Sequence, residues 1–190
     1  IKLANNSFRD YIFGFSNNLA LTCSEFNIDC FDLIDAANSN YPRNNIPKPS
    51  PGVGGYCLTK DPLFFAMNEN NKYSNLSLLA RKANEDAGKF PIKAIKSYCQ
   101  ATKKKLSQLE ILIIGVAFKG FPETNDIRGS DALNLARYLE NKVKLLKLLD
   151  HVVTNAEIKH EGFKVERKTS KLRKYDVILI LNNHPRNTHF

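Results

Sequence analysis

Glu110-Ile-Leu-Ile-Ile-Gly115 is the stretch on which the fold turns. A continuous β-branched and leucine run that stops at a glycine is the pattern of a strand buried on both faces, as in parallel sheets. The lysine run Lys103-Lys-Lys105 precedes it and marks a change of character. Downstream, 131–139 reads as a helix, 143–149 as a second strand and 177–181 as a third. That β-α-β alternation predicts a parallel α/β unit.

Upstream the period is different. Phe8, Tyr11, Ile12, Phe15 and Leu19 recur at helical spacing and predict a first helix from Lys2 to about Phe26, with Lys2, Asn6, Arg9 and Asp10 elsewhere on the cylinder. Asp29 is placed to cap a short second helix that ends near Asn38. Pro42, Pro47, Pro49 and Pro51, interleaved with Gly52, Gly54 and Gly55, force a shaped loop. Helical sequence resumes after Cys57 through Leu63, Phe64, Phe65 and Met67. A longer helical stretch is expected from Tyr73 to about Lys104, carrying Leu76, Leu79, Ala80, Ala83 and Ala87, with Pro91 kinking or splitting it. The chain is thus expected to be α/β overall, with a helical domain over 1–104 and an α/β domain over 105–190.

At 190 residues there is room for one domain or two small ones. No apolar run approaches the roughly 20 residues that span a bilayer, and no signal-peptide pattern opens the chain. The expected setting is therefore the cytoplasm, without a membrane partner. The formal charge of +9 is compatible with anionic ligands of several kinds. A nucleic-acid partner is not expected, because neither a zinc finger, an RRM-like aromatic motif nor a basic helix with interleaved aromatics is present. Cys23, Cys30, Cys57 and Cys99 are too irregularly spaced for a zinc site, so no metal is expected and all four should be thiols. Cys23 and Cys99 fall in helical, partly apolar sequence and read as small buried hydrophobes.

Cys57 sits differently, in Pro51-Gly-Val-Gly-Gly-Tyr-Cys-Leu-Thr-Lys-Asp-Pro62. Gly54 and Gly55 permit positive φ and let backbone amides approach a ligand closely. A helix beginning near Cys57 would point its positive end at the sulfur, and Lys60 would add to that field, favouring the nucleophilic thiolate. Asp61 would lie one turn along and face the same pocket.

The spacing Gly-Gly-x-Cys-x-x-Lys-Asp resembles the signature of the UDP-glucose/GDP-mannose dehydrogenase family, and three further blocks match it in order. Ile1-Lys-Leu-Ala-Asn-Asn-Ser-Phe-Arg-Asp10 is similar to the opening of the family's central domain, where a lysine and an asparagine one turn later face the substrate; Lys2 and Asn6 hold those positions. The segment ending Tyr41-Pro-Arg43 resembles the stretch that supplies an arginine across a dimer interface toward the sugar nucleotide, which is Arg43 here. Leu112-Ile-Ile-Gly-Val-Ala-Phe-Lys-Gly120, followed by Asn125-Asp-Ile-Arg-Gly-Ser130, resembles the start of the family's UDP-binding domain, contributing Phe118, Lys119 and Arg128.

The resemblance implies an all-helical central dimerisation domain followed by a Rossmann-like UDP-binding domain. It also implies NAD-dependent oxidation of a UDP-sugar at C6 to the uronic acid, for surface polysaccharide synthesis. By the same resemblance Cys57 is the nucleophile, Lys2 and Asn6 stabilise charged intermediates and Asp61 handles the proton of a hydrolytic water. Arg43, Gly54, Phe118, Lys119 and Arg128 hold the UDP-sugar, and Lys60 lies toward the cofactor. The Arg9-Asp10 pair and the Tyr41-Pro-Arg43 lead-in resemble the branch acting on UDP-N-acetylhexosamines, such as UDP-N-acetyl-D-mannosamine, more than the UDP-glucose branch, which stays as the alternative. A UDP-sugar-binding and dimerisation module without activity of its own is the other reading. Two departures stand out. Asn17-Asn18-Leu19 replaces the family's Asn-Glu-Leu, and G-x-G-x-x-G is absent, so an NAD-binding domain is expected to precede this chain in a longer protein. The second domain is likewise expected to be truncated.

Overall fold

Ile111, Leu112, Ile113 and Ile114 are all fully buried in β1 (Glu110–Ile114), as a two-faced apolar run requires. The structure is a computed structural model and describes residues 1–67, 75–167 and 172–189. Contacts divide the chain into two compact units, Ile1–Lys89 and Phe90–Phe190.

The first unit is helical: α1 (Lys2–Glu25), α2 (Cys30–Asn38), α3 (Asp61–Ala66) and α4 (Asn75–Ala87). Asp29 caps α2 as expected, its Oδ1 accepting the N–H groups of Phe31 (2.7 Å) and Asp32 (3.2 Å). α1 packs along α4 and across α3. The buried residues of α1 are Ser7, Asp10, Gly14, Ser16, Asn17 and Cys23, whereas Phe8 and Phe15 are 62% and 57% exposed. The apolar spacing located the helix but not its inward face. Small residues let α4 come close: a Cβ on Gly14 would lie 2.9 Å from the Ala80 carbonyl oxygen, so only glycine fits.

The expected long helix is two, α4 and α5 (Phe90–Thr102), and the start expected at Tyr73 lies outside the described residues. Pro91 is tolerated in the first turn of α5, where its missing N–H costs no helical bond. Ile92, Ile95, Tyr98 and Cys99 of α5 pack with the core around β1, which groups α5 with the second compact unit. Cys23 is buried as expected, while Cys99 is half-buried.

The second unit holds β1, α6 (Asp131–Leu139), β2 (Leu145–Leu149), α7 (Asn155–His160) and β3 (Val177–Ile180). The described strands form a parallel sheet of order β2-β1-β3, with Ile111 opposite Leu146 and Val177. Ile111 and Ile113 face one core with Ala136, Leu139 and Ile158, while Leu112 and Ile114 face another with Leu149 and Tyr175. α7 was not anticipated. Its start is a capping box in which Glu157 N–H bonds Thr154 Oγ1 while the Glu157 carboxylate accepts the Thr154 N–H. The α/β class and the parallel sheet stand as expected from the sequence. No helix among the described residues is long and apolar enough to cross a membrane.

Candidate active site

Lys2 and Asn6 are four residues apart on α1 and therefore share a face. Both meet Asp61 at the first position of α3. Asn6 Nδ2 donates to Asp61 Oδ2 at 2.7 Å, Lys2 Nζ lies 3.9 Å from the same oxygen, and Lys60 Nζ lies 3.4 Å from Oδ1. Asp61 is 2% exposed although two cations and an amide surround it. The Asn6 hydrogen bond, aided by Lys2 and Lys60 against the cost of burial, holds its carboxyl below the usual carboxylate range.

Because that group is harder to protonate folded than unfolded, its stabilisation is present above about pH 4 and is lost as pH falls through the depressed folded value. Thermal melts from neutral to acid should show Asp61→Asn less stable than the parent near neutrality, with the two curves converging in acid. A gap that is constant across pH would show that the lost charge is not its source.

Cys57 lies in the turn before α3, not at a helix start. Pro62 suits the first turn of a helix and α3 begins beside it, at Asp61, so the expected helix end at the sulfur is absent. The Cys57 carbonyl instead accepts the N–H groups of Asp61 (2.9 Å) and Lys60 (3.3 Å), which ties the cysteine to the acid through the backbone. The thiol is half-buried. Gly55 adopts φ +93°, whereas Gly54 is buried without using the left-handed region. Lys60 stands 4.9 Å from the Tyr56 ring centroid and 5.3 Å from that of Phe64, so its ammonium is held by aromatic faces as well as by Asp61. Arg43 is exposed on the turn after α2, and no hydrogen bond or ion pair among the described residues joins it to the Asp61 cluster.

In the second unit the turn after β1 carries Phe118 and Lys119. Phe118 N–H bonds the Asp126 carbonyl at 3.0 Å, and the Asp126 carboxylate holds the Arg128 guanidinium at 2.9 Å (Nε) and 2.7 Å (Nη2). The Lys119 ammonium lies 5.6 Å from the Phe118 ring centroid. The three expected residues are therefore neighbours on one loop system. Sequence reasoning missed its supports: Asn183 Oδ1 accepts the N–H groups of Gly120 and Phe121, both at 3.1 Å. Asp150, directly after β2, takes the Val116 and Ala117 N–H groups on Oδ2. Those two amides follow the first strand, where a dinucleotide-binding turn offers its N–H groups to a pyrophosphate. With an internal carboxylate already there, the second unit does not fit NAD.

The helical unit with its glycine-bent, cysteine-bearing loop and the parallel α/β unit that follows it in the chain can each be set against known families. Residues 1–86 match the model of the UDP-glucose/GDP-mannose dehydrogenase family central domain, and 112–189 match that family's UDP binding domain. The chain belongs to this family. It is 38% identical over 140 residues to UDP-N-acetyl-D-mannosamine dehydrogenase of Salmonella typhi, covering 72% of this chain and 32% of that protein. The enzyme of the same name from Pyrococcus horikoshii is 30% identical over 185 residues, covering 97% and 41%. The structure of the Pyrococcus horikoshii UDP-D-ManNAc dehydrogenase superposes with a TM-score of 0.79 over 97% of this chain and 41% of that one. That of the UDP-N-acetyl-mannosamine dehydrogenase from Staphylococcus aureus does so with a TM-score of 0.77 at 28% identity, over 100% and 43%. The chain thus spans about a third of the first of these relatives.

Proposed function

We propose that the chain supplies the nucleophile and the UDP-sugar contacts of an NAD-dependent UDP-sugar 6-dehydrogenase acting on a UDP-N-acetylhexosamine. Its product, a nucleotide-linked uronic acid, would serve surface polysaccharide synthesis. The observation that carries this reading is the convergence of Lys2, Asn6 and Lys60 on Asp61, whose N–H bonds the Cys57 carbonyl. NAD, bound outside the second unit, would supply the hydride acceptor, and the remaining chemistry would fall to residues of this chain.

The C6 alcohol first loses a hydride and a proton to become the aldehyde. Cys57 Sγ, as thiolate, then bonds to the aldehyde carbon, and the negative charge passes to oxygen. Lys2 would meet that charge together with the second N–H of Asn6, whose first is committed to Asp61. Loss of the second hydride leaves a thioester; water adds to it with one proton passing to Asp61, the carbon–sulfur bond breaks, the thiolate and the carboxylic acid are released, and the acid gives its proton to solvent. Asp61, kept ionised, orients that water and receives its proton.

Phe118, Lys119 and Arg128 are the residues assigned to the uridine and the diphosphate, and Gly54 is assigned to the sugar. Lys60 lies toward the cofactor. Arg43 reaches the ligand of a second subunit. The exposed Phe8 and Phe15 on α1, with Leu76 and Leu79 on α4, support a homodimer through the helical unit. The free thiols and the UDP-sugar substrate suit the cytoplasm.

The test is NADH formation by the protein expressed from its whole reading frame, with UDP-N-acetylmannosamine, UDP-N-acetylglucosamine, UDP-N-acetylgalactosamine and UDP-glucose compared. Two NADH per UDP-N-acetylhexosamine is the expected result. Preference for UDP-glucose would move the substrate to the other branch. No turnover with any of the four, despite UDP-sugar binding, would reduce the chain to a binding module.

A further inference from the structure

Beneath the cysteine-bearing loop lies a polar cluster that the proposed chemistry does not use. Asp10 and Asn17 of α1 and Arg81 and Asn84 of α4 are each at most 4% exposed. Arg81 Nη1 donates to Asp10 Oδ1 (2.9 Å) and to the Leu58 carbonyl (2.9 Å), and Nη2 donates to the Val53 carbonyl (3.3 Å). Asn84 Nδ2 donates to Asp10 Oδ1 (2.7 Å) and accepts at Oδ1 from Asn17 Nδ2 (2.8 Å). Asn17 Oδ1 in turn accepts the Ser50 N–H at 2.8 Å.

Such a cluster is a poor way to add stability. Desolvation of a buried ion pair offsets most of its attraction, and well-packed apolar residues often do as well or better. Burial pushes the Asp10 carboxyl up despite Arg81, and Asp10 Oδ2 has no hydrogen-bond partner among the described residues. What the arrangement supplies is geometry. A planar guanidinium has donors in a fixed fork, and here the fork joins two carbonyls that bracket the Gly54–Cys57 bend. A cluster that merely fastened α1 to α4 would need no bonds to that loop.

We propose that Arg81, oriented by Asp10 and Asn84, is a positioning residue for Cys57. It clamps the Val53 and Leu58 carbonyls and so fixes the bend between them that carries Cys57, whose carbonyl accepts the Asp61 N–H. Asn17 anchors the start of the same loop at Ser50. The catalytic consequence rests on the reading of Cys57 as nucleophile, but the clamp itself does not.

Arg81→Lys tests the clamp, since it keeps the charge that Asp10 needs while one ammonium cannot reproduce the fork. Circular dichroism should show a folded chain. Amide hydrogen exchange across 50–58 should quicken, and iodoacetamide labelling of Cys57, resolved from the other cysteines by peptide mass spectrometry, should accelerate about tenfold. In the whole enzyme kcat should fall while KM for the UDP-sugar stays within about twofold. A folded Arg81→Lys protein with parental loop exchange and parental Cys57 labelling overturns the proposal. If Arg81→Lys does not fold, Asn17→Ala takes its place: faster exchange and labelling support the clamp, and parental values overturn it. Because labelling needs no turnover, a clamp that responds while Cys57→Ala still makes acid would sink the nucleophile and leave the clamp standing.

Discussion

Cys57→Ala should lower acid formation from the UDP-sugar by about four orders of magnitude or more, a loss of the size seen when a covalent nucleophile is removed. The first hydride transfer needs no sulfur, so the variant retains a route from alcohol to aldehyde and back. The second requires a tetrahedral carbon that bears both hydrogen and a group able to leave later, and Sγ of Cys57, whose carbonyl accepts the Asp61 N–H, is the group proposed for it. KM for the sugar nucleotide should change little, because its uridine and diphosphate are assigned to Phe118, Lys119 and Arg128. The quantities to measure are uronic acid by mass spectrometry and NADH by absorbance, on protein from the whole reading frame. Acid formation at the parental rate would remove Cys57 from the mechanism. Fold damage is not expected from the exchange, since the thiol is half-buried and the turn is set by its backbone carbonyl.

Much of this was legible from local signals. The run over β1, the helix at 131–139 and the proline-glycine loop each announce themselves within a few residues, and the Cys57 block carries its acid one turn away. What stayed hidden depended on partners distant in sequence. Arg81 reads as an ordinary surface arginine until α1 brings Asp10 against it, 71 positions away. The first helix misled in a second way, for its apolar stripe is largely outside and its polar side is inside. An inward face made of Ser7, Asp10, Ser16 and Asn17 cannot be told from a solvated one by period alone. Asn17 stands beside the departure from the family pattern at Asn18, but nothing local says that its amide meets Ser50. The helix start at Asp61 was misplaced because the turn at Cys57 already reads as helical sequence, and only Pro62 marks the true beginning.

Asp150→Ala should cost the second unit about 4 kcal/mol, because it takes the acceptor from four backbone N–H groups at once. Oδ2 serves Val116 (2.6 Å) and Ala117 (3.1 Å), and Oδ1 serves Val152 (2.7 Å) and Val153 (2.9 Å). Val116, Ala117 and Val153 are all at most 4% exposed, so water cannot readily replace the carboxylate. Hydrogen bonds to a charged acceptor are among the stronger kind, and the four share one group, so the loss is cooperative and smaller than a simple sum. Asp150→Asn should cost less, since it keeps one oxygen for one pair of amides while turning an NH₂ donor against the other. Urea denaturation of the intact chain, with amide exchange in β1 and the 116–121 turn reporting on the second unit, separates these cases. The same variant speaks to ligand binding. Val116 and Ala117 lead directly into Phe118 and Lys119, so loosening their amides should weaken UDP binding by calorimetry. An Asp150→Ala protein with parental stability and parental UDP affinity would mean that the carboxylate does not hold the turn.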